Sequence, residues 1–176
     1  MKEREGELEF DFSGAISVAK LDDPVKPRPE GMQLVDFVVE EDHRLLMIEV
    51  KDPSCKPKGV NVAAETALVK SRAEFVKKVQ NDTLIAQELT PKARDSYSYL
   101  HLMKRDDKPI LYAFLLGAEK LTLDAALLMG FKDRLLARLR QETDQPWMRQ
   151  YVTDCVVLTE QTWSLAFPQY PLSRVP

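Results

Sequence analysis

Cysteine is nearly absent: the chain carries two, Cys55 and Cys155. Two isolated thiols provide neither a disulfide framework nor a zinc site, and they read as small buried or half-buried side chains. A reducing cytoplasm is the compartment this predicts. Histidine is equally scarce, with His43 in a polar turn and His101 among apolar helix residues. Neither a histidine-based zinc site nor a Ser-His-Asp triad has support. There are six glycines, and Gly59 and Gly117 belong to no phosphate-binding loop motif, which speaks against nucleotide hydrolysis. Excess positive charge is missing too: 25 Lys and Arg face 28 Asp and Glu, for a net charge of -3. A role with nucleic acid must therefore rest on a local basic patch. No apolar run approaches the length of a membrane span, and charged residues dominate positions 1–9, where a signal peptide would be apolar.

What the chain does have is ordinary globular material. Hydrophobic residues make up 44% and charged residues 30% of 176 positions, enough for a core and inconsistent with disorder. No repeat and no linker divides it, so a single domain over 1–176 is expected. Leu8, Phe10 and Phe12 alternate with acids, which marks a half-buried strand. Residues 15–21, around Ile16 and Val18, read as the second arm of an N-terminal hairpin, after a Ser13-Gly14 turn. Prolines at 24, 27 and 29 make 24–30 an extended loop. Two apolar strands follow, at 34–40 and 45–51, joined by the polar stretch Glu41 to Arg44.

The period then changes. Ala64, Leu68, Ser71, Phe75 and Val79 fall on one face of a helix over 62–81. Thr90-Pro91 resembles an N-cap with proline in the first turn, opening a helix toward Met103. Residues 110–116 form an apolar strand. Thr122 is placed to cap a helix whose stripe is Leu123, Leu127, Leu128, Phe131, Leu135 and Leu139. A last strand covers 154–159, and an irregular tail of about 160–176 is expected to lie across the body. The fold class this predicts is α/β, with a mixed central sheet flanked by helices.

The chemistry concentrates in Val35-Asp36 and in Glu49-Val50-Lys51. Glu49 and Lys51, two apart on a strand, share one face. A two-residue turn at Asp42-His43, or a four-residue turn spanning Glu41 to Arg44, sets Asp36 against Glu49, and the two-residue version also sets Glu41 against Arg44. Directly opposed Cβ atoms lie roughly 4.5–5.5 Å apart, a spacing that suits two carboxylates sharing one hard divalent cation. These charges sit in strands otherwise built of Val, Phe, Leu, Met and Ile, where uncompensated charge is expensive. A bound Mg²⁺ would offset the repulsion between the two acids, and Lys51 beside it could orient or deprotonate a water or steady developing negative charge. The plain alternative is a solvated strand face on which Glu49 and Lys51 pair with neighbours.

An acid on one strand, Glu-X-Lys on the next, then a helix and a further strand: over 34–116 this order resembles the PD-(D/E)XK, or restriction-endonuclease-like, nuclease superfamily. The resemblance implies that Asp36 and Glu49 bind Mg²⁺ (or Mn²⁺), that the carbonyl of Val50 completes the metal shell, and that Lys51 is the catalytic lysine in hydrolysis of a phosphodiester. It implies nucleic acid, DNA first, as substrate, in DNA processing or defence, with a homo-oligomer or protein partner open. The chain departs from the pattern in having Val35 where proline is common. It also lacks a leading helix with a glutamate, for which Glu9, Asp11 or Glu30 are substitutes. The helix after Lys51 does not carry the glutamine-then-tyrosine spacing of RecB-like members. The competing expectation is a catalytically inactive interaction protein on the same fold.

Weaker signals have structural readings. Lys70, Arg72, Lys77 and Lys78, or Arg134 and Arg138, would track a phosphate backbone, but each also suits a solvated helix face. Tyr97 and Tyr99 near Arg94 would stack on bases or pack a helix on the sheet. Trp147 and Trp163 read as core or edge-packing residues.

Overall fold

The computed structural model describes residues 1–25, 27, 29–55 and 62–175, with the backbone alone for 62–64. Gly59 and the side chain of Ala64 lie outside the described residues. The central layer is a five-stranded sheet in the order β3 (Ser17–Lys20), β4 (Phe37–Glu40), β5 (Leu45–Lys51), β6 (Ile110–Leu116), β7 (Asp154–Thr159). The first three strands form an antiparallel meander, and β6 and β7 join β5 in parallel. Helix α1 (Val62–Gln80), α2 (Thr90–Leu102) and α3 (Ala125–Arg140) supply the crossovers that parallel pairs require.

The fold class is α/β, a mixed sheet flanked by helices with a smaller antiparallel sheet at the N-terminus. That smaller sheet is not the hairpin expected between 8–12 and 15–21. Its strands are β1 (Lys2–Glu5), β2 (Leu8–Asp11) and β8 (Leu172–Arg174), in the order β1-β2-β8. The arm at 17–20 pairs instead with β4. Strand β1, charged along its length, has no apolar alternation to announce it. It is held by the ladder to β2 and by ion pairs such as Lys2 Nζ to Glu9 at 2.7 Å.

Each face of the five-stranded sheet has its own core. Val38, Leu45, Met47, Tyr112 and Phe114 point to α2 and α3, meeting Ala93, Leu100, Phe131, Leu135 and Leu139. The alternate residues Phe37, Val39, Leu46, Ile48 and Val50 point the other way, into Leu8, Phe10 and Phe12 of the small sheet and Trp163 and Phe167. With both faces covered, β4–β6 are nearly continuous hydrophobic runs rather than alternating ones.

The tail is not irregular. Residues Glu160–Ala166 form α4, opened by a reciprocal capping box between Thr159 and Thr162. Trp163 is fully buried, its Nε1 donates to the Tyr170 carbonyl at 2.7 Å, and β8 then pairs with β2. Long-range partners, not local pattern, order this segment. The caps also differ from expectation. Asp124 rather than Thr122 caps α3, its carboxylate accepting from the Ala126 N–H at 3.0 Å. Thr90 caps nothing: it has helical φ and ψ, and α2 continues without a break from a π-helical turn at Ile85–Leu89.

Candidate active site

The ladder between β4 and β5 sets Phe37 against Ile48 and Glu40 against Leu45. Glu41 then faces Arg44, with the Glu41 N–H donating to the Arg44 carbonyl at 2.9 Å and the two side chains paired. This is the register that places Asp36 opposite Glu49. Asp36 stands one residue beyond the last ladder pair, where the chain leaves the strand. There its carboxylate accepts the Val50 N–H, and its own carbonyl accepts the Leu21 N–H at 2.9 Å.

The departing segment is caught by α2. The Val35 N–H donates to the buried Ser96 Oγ at 2.9 Å, and the Gln33 N–H to Asp95 Oδ2 at 2.8 Å. These two bonds fasten the helix next to Asp36 and bring over its first turn, which carries Lys92. The Lys92 ammonium lies 2.7 and 3.0 Å from the two Glu49 oxygens and 3.7 Å from Asp36 Oδ1. Lys51 Nζ lies 3.2 Å from Glu49 and 3.0 Å from Glu88, which also pairs with Lys78 at 3.0 Å. Asp36 and Glu49 are buried, while Lys51, Lys92 and Glu88 are partly exposed and form the rim.

Glu88 and Lys92, four residues apart, share one helix face. Glu88 belongs to the π-helical turn, which ends as the Thr90 N–H donates to the Ile85 carbonyl. Pro91 has no N–H with which to close an α-type bond, and the widened turn falls just before it. A helix start at Thr90-Pro91, which the sequence predicts, would place these two residues on separate elements.

The electrostatics follow from the burial. Desolvation, then repulsion from Glu49, pushes the Asp36 carboxyl up to about 9, although Lys92 opposes the shift. Burial likewise raises Glu49, against the pull of Lys92 and Lys51. For Lys51 the desolvation cost is outweighed by Glu49 and Glu88, so its ammonium is held above the usual range. Glu88 is shifted down despite its partial burial, by Lys78 and Lys51.

Of the residues singled out by sequence, Asp36, Glu49 and Lys51 converge, and Val50 contributes its backbone. The N–H and carbonyl of one strand residue point to the same side, so the Val50 carbonyl is directed to the Asp36 edge. Glu9, Asp11 and Glu30 are elsewhere: Glu9 pairs with Lys2, Asp11 binds Ser13, and Glu30 is exposed. The acids that do approach are Glu88 and, on the other side, Asp22 and Glu5, whose carboxylate oxygens lie with one from Asp36 inside 4.8 Å. Glu5 is itself paired with Lys20 at 2.7 Å.

A hard divalent ion fits this donor set. Two buried carboxyl groups from adjacent strands face one another, and burial raises both pKa values despite two lysines nearby, so the pair favours either a proton or a further cation. Asp36, Glu49 and the Val50 carbonyl are the groups that could hold it.

Several of the weaker candidates have structural partners. Arg134 is bound to Asp82 at 2.7 Å, Lys78 to Glu88, and Arg72 Nε donates to the Pro53 carbonyl at 3.0 Å. Tyr97 makes a tilted ring contact with Tyr151 at 5.1 Å and, like Tyr99, packs on the helix-side core. Trp147 is exposed rather than in the core, with the Arg94 guanidinium over its ring. Both cysteines are free. A cavity of about 570 Å³ opens at the ends of β6 and β7, but its charged lining, Glu119, Glu160 and Arg174, is internally paired and does not include the carboxylate pair. Among the described residues, no helix is long and apolar enough to cross a membrane.

Comparison with protein-family profiles, with curated proteins and with solved structures finds no match to this chain.

Proposed function

We propose that the chain is a metal-dependent nuclease-like protein of the PD-(D/E)XK kind, hydrolysing phosphodiester bonds in nucleic acid, DNA first, in the cytoplasm. The observation that carries this reading is the confrontation of Asp36 and Glu49 across adjacent strands, with Lys51 on the same face 3.2 Å from Glu49. Asp36, Glu49 and the Val50 carbonyl would hold Mg²⁺ or Mn²⁺. When bound, such an ion lowers the pKa of a coordinated water and stabilises negative charge at a phosphoryl group.

The protein's own groups then have distinct tasks. Glu49 and Asp36 are fixed before any ligand arrives, Glu49 by its place in the β5–β6 ladder and Asp36 by the Val50 N–H. Lys51, held protonated by Glu49 and Glu88, is poorly suited to remove a proton. It is suited to steady charge on the phosphoryl oxygens as a compact point charge. Glu88 is a positioning residue: its contact keeps the Lys51 ammonium at the rim.

The direct test is a cleavage assay on mixed single- and double-stranded DNA and RNA, with Mg²⁺ or Mn²⁺ and with chelator. Metal-dependent cleavage is expected. In parallel, the double substitution Asp36→Asn with Glu49→Gln should abolish Mn²⁺ binding in calorimetry while the fold survives. Unchanged Mn²⁺ affinity in that variant would sink the site assignment.

One observation favours a second reading. Lys92 already lies between the two carboxylates, as a fixed counter-ion would in a catalytically inactive interaction protein of the same fold. No cleavage of any substrate and no metal binding would decide for it.

A further inference from the structure

We infer that Lys92 is the resident cation of this site, and that a divalent ion enters by displacing its ammonium. The inference rests on the reading of Asp36 and Glu49 as metal ligands, and adds to it a control over when the metal binds.

The geometry is that of a substitute cation. Lys92 Nζ reaches both oxygens of Glu49 and one of Asp36, so it occupies the space where an ion bridging the two carboxylates would sit. An ammonium at hydrogen-bond distance from these oxygens and a divalent ion held by the same oxygens would repel one another strongly. The two lysines of the site are not equivalent. Lys51 has a second acid, Glu88, that holds it at the rim beside Glu49. The ion pairs described for Lys92 are with Asp36 and Glu49 alone. Lys51 can therefore stay when a metal arrives, whereas Lys92 must give up its partners.

The exit is available. The Lys92 side chain is 18% exposed, and a flexible four-carbon stem lets a lysine ammonium swing to water. Its backbone does not need to move, because Ser96 and Asp95 hold α2 to the 33–35 segment independently. Without metal, the Lys92 ammonium is the cation that Glu49 and Asp36 share. With metal, the same interaction is a cost that the ion must exceed. Metal affinity is then set by an exchange of cations, and the apparent affinity for divalent ions is lowered by the cost of displacing Lys92.

Calorimetric titration with Mn²⁺ alone tests this on four proteins: the parent, Lys92→Met, Lys92→Gln, and Asp36→Asn with Glu49→Gln. Lys92→Met should bind Mn²⁺ at least about tenfold more tightly than the parent, equivalent to about 1.4 kcal/mol. In chelator it should melt below the parent and gain more from added Mn²⁺. If Lys92→Met does not fold without metal, Lys92→Gln retains a hydrogen-bond donor toward Glu49 and carries the same comparison. Equal affinity in the parent and the Lys92 variants overturns the displacement while leaving the metal site standing. Weaker binding in the Lys92 variants overturns it too, by showing that the lysine supports the ion. If no protein binds Mn²⁺, or the carboxylate double variant binds as well as the parent, the metal reading fails and the inference fails with it.

Discussion

Glu49 has no exposed surface, and Asp36 very little. A carboxylate that has lost its water must find a cation, a set of donors or a proton, and this pair draws on all three. Lys92 and Lys51 serve Glu49, the Val50 N–H serves Asp36, and the raised pKa of Asp36 favours a proton there. The sign of the consequence is fixed. Folded Asp36 retains a proton that the unfolded chain has released, so its contribution to stability is fully present below about pH 4 and is lost as pH rises through about 9. In chelator, Asp36→Asn should flatten this fall, because its amide oxygen can still accept the Val50 N–H without titrating. Denaturant midpoints that drop equally in both proteins between about pH 5 and 9 would refute the shift. Lys51 is judged by rate. If it steadies the transition state, Lys51→Ala should lose roughly 10²–10⁴-fold in cleavage while still binding Mn²⁺. Lys51→Arg should rescue poorly, since a planar guanidinium does not reproduce a point charge. A Lys51→Ala protein that cleaves as fast as the parent would assign Lys51 to simple ion pairing.

At the scale of elements, the π-helical turn and α4 matter most. The turn carries Glu88 toward Lys51, and the helix it leads into carries Lys92 to the carboxylates. Helix α4 does its work on the opposite face. Trp163 is fully buried, with an edge-on contact to Phe10 at 5.3 Å and a tilted one to Phe167 at 4.9 Å. It joins the C-terminal segment to the small sheet and, through Phe10, to Phe37 of β4 at 5.4 Å. Trp163→Ala should cost about 3–5 kcal/mol by leaving a cavity among these rings. Urea denaturation measures it, and a loss under about 1 kcal/mol would mean that the tail is not part of the cooperative unit.

Over the whole molecule, one arginine ties the two sheets together. Arg174 on β8 makes a two-pronged contact with Asp52, at 2.8 and 3.1 Å, just past the end of β5. It also meets Glu7 at 3.0 Å, Glu119 at 3.2 Å, and Glu160. Asp52 is largely buried, and a Cβ at position 117 would collide with its carboxylate, so Gly117 is required there by close approach. Arg174→Ala leaves Asp52 without its partner and crowds the other acids together. A loss of about 2–4 kcal/mol is expected, reduced from the fully buried case because Arg174 is partly exposed. Thermal unfolding with no change in midpoint would show that the contact is solvated and idle.

The strands were written in local pattern. The ranges 45–51, 110–116 and 154–159 are found as strands at those bounds, because apolar runs between polar turns allow little else. The register of β4 on β5 was also legible, since a short loop with complementary Glu41 and Arg44 leaves one pairing that keeps both apolar faces inside. From that register followed the meeting of Asp36 with Glu49 and Lys51. Lys92 and Glu88 were not legible: each looks like a solvated charge on a helix, and their place depends on how α2 is fastened to the 33–35 segment. The i, i+4 spacing of Glu88 and Lys92 was the available clue, hidden by Thr90-Pro91, which reads as a boundary but lies inside a continuous helical stretch. Strand β1, the true partner of 17–20 and the order in the tail were likewise decided by tertiary contact. Periodicity records which side of an element is buried. It does not record which distant element does the burying, and at this site the distant element brings the cation.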